Sequence, residues 1–279
     1  MTTLPPPDAS AEIKRGDRFA FGANWTRFLQ VLNEEKIERA QRSMADLFGM
    51  DSFINLTFLD IGSGSGLSSL VAARMGAQVQ SMDFDPQSVA CTEELRYRHF
   101  SGSFHWKVEK GSALDSGYMR GLGHFDIVYS WGVLHHTGNM WLGIENAIGC
   151  VKPKGKLMLA IYNDQGWKSR VWWLIKATYN RLPGWMAVGG SYLIYYPALA
   201  AVVAKSALSF DRVRLKRLFS PLDRGMSRRH DMIDWMGGFP FEFATVAVLR
   251  DYMAARGFTM EKAIETKALG CHQLVFCRA

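Results

Sequence analysis

The chain has 279 residues, of which 48% are hydrophobic, and its formal net charge is +7. This length suits one domain, or one domain with an insertion, and the composition excludes a disordered chain, a disulfide-stapled mini-protein and a collagen-like fibre. The four cysteines are scattered without a C-x-x-C pair, which predicts reduced thiols in a cytoplasmic protein and neither a disulfide framework nor a zinc site. The proline-rich start, residues 1–10, lacks the apolar core of a signal peptide.

Residues 1–50 predict a tail and one helix. From Trp25 to Leu47 the apolar residues follow helical spacing, with a slip of one residue in the middle. An aromatic segment, residues 19–25, precedes this helix. We expect the whole N-terminal part to close over a site.

Residues 51–165 predict strands and helices in alternation. The predicted strands are 56–61, 78–84, 104–110, 125–130 and 157–162, and the predicted helices are 66–75, 86–98 and 141–151, with a turn at 152–156. Such alternation is typical of β-α-β units. It predicts an α/β fold with a Rossmann-like, mostly parallel seven-stranded sheet and helices on both faces.

The pattern changes after the fifth predicted strand. Residues 166–238 are aromatic and apolar, then basic, which predicts a helical insertion, and residues 239–279 complete the core with a helix and two strands. No charged residue occurs from Leu182 to Ala204, but prolines and glycines interrupt this stretch. We therefore expect a lid, a homodimer interface or a peripheral membrane contact here rather than a transmembrane helix.

Most of the positive charge is concentrated in one run. Between Lys205 and Arg229 there are eight basic and two acidic residues, so this run carries +6 of the net +7. Such an excess favours an anionic acceptor, an anionic membrane surface or nucleic acid, and a solvated helix face is the alternative. Four polar or aromatic residues follow it and could add a polar wall to a site: His230, Asp231, Asp234 and Trp235.

A glycine-rich turn carries the clearest chemistry. Residues 58–66 read Phe-Leu-Asp-Ile-Gly-Ser-Gly-Ser-Gly between a predicted strand and helix, where glycines allow close approach of a ligand to backbone donors. The spacing is G-x-G-x-G, not the G-x-G-x-x-G of dinucleotide dehydrogenases. Asp60 would repel a pyrophosphate but suits a ligand with an ammonium and a sulfonium. Asp83 ends the second strand, where it can accept both ribose hydroxyls, and Phe84 can lie against an adenine.

Five segments in this order resemble the class I S-adenosylmethionine-dependent methyltransferases, in the group that includes the ubiquinone-biosynthesis O-methyltransferases. The matching segments are 59–66, 82–85, 111–115, 125–136 and 151–155. The resemblance covers residues 50–165 and, more weakly, 240–279. It implies an enzyme that uses S-adenosylmethionine, releases S-adenosylhomocysteine and needs no metal.

The resemblance also implies a set of site residues. Those expected at the cofactor are Asp60, Gly62, Ser63, Gly64, Gly66, Asp83, Phe84, Ser112, Ala113, Leu114, Ser130 and Trp131. Many relatives carry an acid where Ser112 stands. The residues expected to face the acceptor are Phe21, Trp25, Tyr162, Asn163 and Asp164.

Methylation of a hydroxyl by in-line displacement needs a group that removes the proton. His135, which follows the fourth strand, is the first candidate for this base, and His136 is the second. Hydrogen bonding within the loop is the alternative role for both.

These features favour methylation of a small lipophilic or anionic acceptor, most readily at oxygen. An RNA methyltransferase that uses residues 205–229 and a non-catalytic cofactor-binding partner protein are the alternatives. The chain lacks both the Asp/Asn-Pro-Pro motif of nucleobase amino-methylation and the Pro-Cys pair of pyrimidine methylation, which counts against nucleic acid.

Overall fold

The computed structural model describes residues 9–100, 105–209, 236–267 and 270–279. Most of the basic run therefore lies outside the described residues, as do the four residues of the predicted polar wall, His230 to Trp235.

The core is a seven-stranded sheet in the order β3-β2-β1-β4-β5-β7-β6. The strands are β1 (Thr57–Ile61), β2 (Gln78–Asp83), β3 (Trp106–Lys110), β4 (Phe125–Trp131), β5 (Val151–Tyr162), β6 (Phe258–Ile264) and β7 (Cys271–Arg278). Strands β1 to β5 pair in parallel, and β7 is antiparallel to both β5 and β6. The predicted α/β fold with a mostly parallel sheet is confirmed.

Helices cover both faces of this sheet. They are α1 (Ala9–Arg15), α2 (Phe21–Leu29), α3 (Glu34–Phe48), α4 (Leu67–Arg74), α5 (Pro86–Phe100), α6 (Ser116–Gly121), α7 (Met140–Gly149), α8 (Trp167–Arg181), α9 (Gly184–Leu208) and α10 (Val246–Ala254). Alternate strand residues join different buried clusters, Phe58 and Ile127 on one side, Leu59 and Val128 on the other. This is the period-two pattern of a sheet buried on both faces.

Two local predictions are wrong. The single N-terminal helix is two helices, α2 and α3, and the slip in the apolar spacing marks the break, where the Asn33 side chain accepts a hydrogen bond from the Lys36 amide (3.1 Å). The predicted turn at 152–156 belongs to β5, which passes through it with Lys154 at a φ of 61°.

The segment between β5 and α10 begins with α8 and α9, and α9 includes the whole uncharged stretch apart from its first two residues. Among the helices in the described ranges, none combines the length and apolar character that crossing a membrane would require.

Candidate active site

A cavity of about 480 Å³ opens at the carboxyl ends of the parallel strands. Its walls come from the β1–α4 turn, the ends of β2 and β4, the loop after β3, and helices α2 and α3. Ligands of open α/β sheets bind at this edge, because the strand order reverses direction there.

The glycine-rich turn forms the floor of this cavity. Gly62 and Gly64 have positive φ values of 76° and 57°. A Cβ atom at Gly62 would lie 2.4 Å from the Val133 side chain, and one at Gly64 would lie 2.9 Å from Nε1 of Trp25. Both positions therefore require glycine, because Val133 and Trp25 pack against the turn where a Cβ atom would lie.

Gly66 differs from the other two glycines. It is the N-cap residue directly before α4, has a φ of 80° and does not line the cavity. A Cβ atom there would lie 2.9 Å from Cα of Thr92, so this glycine allows α4 and α5 to pack closely.

Asp83 joins the glycine turn to the start of α5. Its Oδ2 accepts a hydrogen bond from the Gly64 amide, and its Oδ1 accepts one from the Asp85 amide, each at 2.9 Å. Burial raises the pKa of Asp83 to about 6. Each carboxylate oxygen keeps a further lone pair, so the side chain can still accept hydroxyl hydrogen bonds from a ligand.

Asp60 is a further carboxylate that lines the cavity, and it is only 2% exposed. Burial raises its pKa to about 7, the Ser69 hydrogen bond opposes this shift, and the negative charge of Asp83 adds to it. A cation bound in the cavity would lower this pKa and stabilise the ionised form.

The side of the cavity beyond β2 is lined by Phe84 and by Ser112, Ala113 and Leu114. The guanidinium of Arg18 lies 4.9 Å from the centroid of the Phe84 ring. Arg18 also donates a hydrogen bond to the His136 carbonyl (3.0 Å), so it connects the two ends of the cavity. Nothing in the spacing of the sequence indicated this arginine.

Of the two predicted cofactor residues at the end of β4, one lines the cavity and the other does not. Trp131 lines it, whereas Ser130 is buried and donates a long hydrogen bond (3.4 Å) to the Ile61 carbonyl. Ser63 lines the cavity with the glycine turn.

His135 is completely buried in the 3-10 turn Leu134–His136 at the cavity wall. Its ring lies 4.1 Å from the Tyr162 ring, centroid to centroid. Among the described residues, neither ring nitrogen has a hydrogen-bond partner of good geometry. Burial, with smaller effects from His136 and Lys176, lowers its pKa well below the usual range, and the Ala160 carbonyl opposes this shift.

His136 has a defined tautomer. Its Nδ1 lies 2.6 Å from the Pro240 carbonyl oxygen, which can only accept, so Nδ1 carries the proton and Nε2 keeps its lone pair. Burial, together with the nearby Lys176 and Arg18 charges, lowers the pKa of His136 to about 3, so the ring is neutral near pH 7.

The segment 239–244, before α10, holds this histidine loop. The Glu242 amide donates to the His135 carbonyl (2.9 Å), and the Glu242 carboxylate accepts from the Met140 amide (3.0 Å) at the start of α7. The loop is therefore fixed at its backbone as well as through the ring of His136.

The predicted acceptor residues divide into two groups. Phe21, Trp25 and Tyr162 line the cavity. Asn163 and Asp164 do not, because they stabilise the loops beyond β5: Asn163 donates to the Thr266 carbonyl and pairs with Nε2 of His272, both at 3.0 Å, and Asp164 accepts from the Gly166 amide at 2.7 Å.

The N-terminal part was expected to close over the site, but the wall residues that α3 and α4 supply were not predicted. Four residues of α3 line the cavity at helical spacing: Ala40, Ser43, Met44 and Leu47. Leu67 and Val71 of α4 face the same space. The periodicity of α3 indicated a buried face, but it could not show that part of this face borders a cavity.

Acidic, histidine and cysteine side chains do not gather into a metal-binding group of three or more anywhere in the described ranges.

A family model described as a methyltransferase domain matches residues 59–157. The ubiquinone biosynthesis O-methyltransferase of Paramagnetospirillum magneticum is 29% identical over 166 residues, which are 58% of this chain and 63% of that protein. The tRNA U34 carboxymethyltransferase of Methylococcus capsulatus is 29% identical over 113 residues, 40% of this chain and 34% of that protein. The chain covers 54% to 63% of the length of the first three ubiquinone-type relatives.

Solved structures agree on the fold. The magnesium protoporphyrin IX methyltransferase of Synechocystis PCC 6803, with bound S-adenosylhomocysteine, aligns with a TM-score of 0.55 and 16% identity over 96% of this chain and all of that chain. An O-methyltransferase family protein from Burkholderia thailandensis aligns with a TM-score of 0.54 and 17% identity, over 96% of this chain and 67% of that chain.

The fold and the cavity define an α/β protein with a ligand site at the carboxyl edge of its parallel strands. The chain carries a methyltransferase domain over residues 59–157 and is similar to the class I S-adenosylmethionine-dependent methyltransferases, whose cofactor is S-adenosylmethionine. The residues of this structure fit that cofactor: Asp60 and Asp83 line the cavity beside the glycine-rich turn, where they supply charge for a cation and acceptors for hydroxyls.

Replacing His135 with phenylalanine is expected to reduce the acid sensitivity of the fold. The unfolded chain takes up a proton at this histidine below its ordinary pKa of 6.5, whereas the folded protein does not, so stability falls as the pH decreases from 6.5. Between pH 8 and pH 5, the free energy of unfolding should therefore decrease less in His135→Phe than in the wild type. Urea unfolding at the two pH values measures this difference, and equal losses in both proteins would contradict it.

Proposed function

We propose that this protein transfers a methyl group from S-adenosylmethionine to a hydroxyl oxygen of a small lipophilic acceptor. The observation that carries the proposal is the neutral His136 in the same cavity as the glycine-rich turn, with its proton on Nδ1 and a lone pair on Nε2. The O-methyltransferase names of the relatives support oxygen as the accepting atom.

His136 is a stronger candidate for the base than His135. A general base works best when a second group fixes its tautomer and orientation, as the Pro240 carbonyl does for His136. His135 makes no hydrogen bond of comparable geometry among the described residues, although the Ala160 carbonyl acts on its ring. When bound, the cofactor supplies an electrophilic sulfonium methyl group, and the part played by the protein is to align the hydroxyl and accept its proton on Nε2 of His136.

The walls of the cavity favour a lipophilic acceptor. Aromatic side chains surround the histidine loop, with Phe21 5.1 Å and Tyr162 5.4 Å from His136, ring centroid to ring centroid. Met44 and Leu47 of α3 extend the apolar lining away from the histidines. An aromatic or aliphatic acceptor would be desolvated by these walls, and water would be excluded from the reacting hydroxyl.

Methyl-labelled S-adenosylmethionine tests the proposal directly. We expect the protein, incubated with a lipid-rich cell extract, to release S-adenosylhomocysteine and to label a small product that mass spectrometry identifies as a methyl ether. A His136→Asn protein is the matched control, because asparagine can still donate to the Pro240 carbonyl but offers no base at Nε2. Label in RNA would favour the RNA methyltransferase, and cofactor binding without any labelled product would favour a non-catalytic partner protein.

We further propose that α8 brings the protein to an anionic membrane surface, where a lipophilic acceptor would be found. Trp167, Val171 and Leu174 are spaced along one side of α8 and are 70%, 46% and 62% exposed. The exposed basic residues of α8 are Lys168, Arg170 and Arg181, and residues 166–209 contain no acidic residue. An apolar stripe beside cationic side chains is the pattern of an interfacial helix.

Vesicle sedimentation checks this contact. We expect the protein to sediment with phosphatidylglycerol vesicles, much less with phosphatidylcholine vesicles, and less at high salt. A Trp167→Ser/Leu174→Ser protein should lose about tenfold in vesicle affinity, since two buried side chains no longer contribute apolar area. Val248→Ser, at an exposed position of α10, is the control. Sedimentation that is unchanged in the double variant would contradict the proposal.

A further inference from the structure

A buried hydrogen-bond chain runs beneath the cavity across three neighbouring strands. Nε1 of Trp106 on β3 donates to Oγ of Ser81 on β2 (2.7 Å), and Oγ of Ser81 lies 2.7 Å from Oγ of Ser69 on α4. The Ser69 hydroxyl donates to Oδ2 of Asp60 on β1 (2.6 Å). All four residues are at most 2% exposed.

The hydrogen bonds of this series all donate in one direction. An indole N–H can only donate, so Ser81 accepts from Trp106. The single proton of Ser69 is directed to Asp60, and therefore the proton of Ser81 must point to Ser69. Every proton in the chain is thus directed towards Oδ2 of Asp60, and each bond polarises the next.

This direction determines where a proton can sit on Asp60. A proton on Oδ2 would face the proton of Ser69, and Ser69 could turn away only by disrupting its contact with Ser81. The favourable position for a proton is therefore Oδ1, the oxygen that the chain leaves unused. Asp60 lines the cavity, so loss of that proton would leave a negative charge at the cofactor site.

We propose that Ser69, Ser81 and Trp106 are positioning residues that keep Oδ2 of Asp60 as an acceptor and reserve Oδ1 for the cationic part of the cofactor, so that cofactor capture depends on pH through this chain. The inference requires that the protein binds S-adenosylmethionine, but it does not depend on which acceptor is methylated.

The groups around Asp60 set the pH range. The charged side chain that faces it is Asp83 at the end of β2, which raises the pKa of Asp60 further, whereas the Ser69 hydroxyl and amide on α4 lower it. Without a ligand Asp60 has a pKa of about 7, and a bound cation favours the ionised form. Affinity for a cationic ligand should therefore rise with pH and level off above pH 8, and binding at pH 6.5 should release a proton.

Calorimetry with S-adenosylhomocysteine tests the role of this hydrogen-bond chain in cofactor binding without any turnover. This probe carries the ammonium but no sulfonium, so it isolates the charge that Asp60 is expected to meet. We would measure its affinity from pH 5.5 to 9 in two buffers of different ionisation enthalpy, which also gives the number of protons released. Ser69→Ala removes the hydrogen bond to Asp60, and Ser81→Ala removes only the donor behind Ser69. Ser88→Ala is the matched control, since Ser88 is buried and its hydroxyl has no partner in the described structure.

The expected result is a shift along the pH axis. Ser69→Ala should bind about tenfold more weakly than wild type at pH 6.5 but within about twofold at pH 9, because the lost hydrogen bond favoured the ionised carboxylate. Ser81→Ala should shift the profile in the same direction by less, and Ser88→Ala should not shift it. Thermal unfolding at pH 9 checks that each variant is folded.

Two results would overturn the inference. The first is a loss of affinity in Ser69→Ala and in Ser81→Ala that is the same at every pH. These serines would then only support the packing of the sheet. If wild-type affinity does not change between pH 6 and pH 8, Asp60 does not control capture. Wild-type protein that binds no S-adenosylhomocysteine at any pH would instead overturn the cofactor assignment itself.

Discussion

Replacement of Asp83 with asparagine is expected to weaken S-adenosylhomocysteine binding by about 100-fold at pH 8. The carboxylate accepts amide hydrogen bonds from Gly64 and Asp85 at 2.9 Å while facing the cavity. In asparagine, one of the two oxygens becomes an NH2 group, which meets one of these amides donor to donor and can no longer accept from a ribose hydroxyl. The variant should therefore lose both the shape of the glycine-rich turn and a ligand contact.

The pH dependence of this effect follows from the raised pKa of Asp83, about 6. Below pH 6 the wild-type side chain is itself neutral, so the difference between the two proteins should shrink to about tenfold at pH 5. Calorimetric titration at both pH values measures it. Asp251→Asn, an exposed carboxylate on α10, is the control. A constant difference from pH 5 to pH 8 would show that ionisation of Asp83 does not contribute to binding.

The cofactor side of the site could be predicted because its signals are local. Asp60, Gly62 and Gly64 lie within five residues of one another. The role of each can be inferred from a single strand-to-helix turn. Asp83 ends the next predicted strand along the chain, and in the structure this strand pairs with β1. The fold class depends on the same local periodicities.

The acceptor side could not be predicted to the same extent because its contacts join distant segments. The partner of His136, Pro240, is 104 residues away, and Arg18 meets the His136 carbonyl across 118 residues. Asn163 follows β5 at the expected sheet edge, but His272 of the antiparallel β7 pairs with it. The rule for strand ends gives the edge of the sheet, whereas tertiary packing decides which side chains face the cavity.

This difference explains why His136 replaces His135 as the preferred candidate for the base. From the sequence, adjacent histidines differ only in their distance from the end of β4. In the structure both are buried and neutral, and only their hydrogen bonds distinguish them. Burial lowers the pKa of each ring, so its basicity is weak, and catalysis at neutral pH would rest on position and tautomer more than on proton affinity.

Replacement of His136 with asparagine is expected to lower kcat about 10²- to 10⁴-fold with little change in S-adenosylhomocysteine affinity. The asparagine amide can keep the bond to the Pro240 carbonyl, so the loop should hold its shape while Nε2 is lost. The measurement is kcat from pH 6 to pH 9 with the acceptor found by methyl labelling. The wild-type rate should be flat in this range, since the pKa of His136 is about 3.

The dependence of kcat on pH in His136→Asn distinguishes the loss of a base from a structural effect. Without a base in the protein, the rate should follow ionisation of the acceptor hydroxyl in solution and rise about tenfold per pH unit below the pKa of that hydroxyl. His135→Phe provides the contrast, because it keeps an aromatic ring against Tyr162 and leaves Nε2 of His136 in place. If His135→Phe instead shows the large loss and the rising slope, His135 is the base, and the hydrogen bond from His136 to Pro240 serves only to hold the loop.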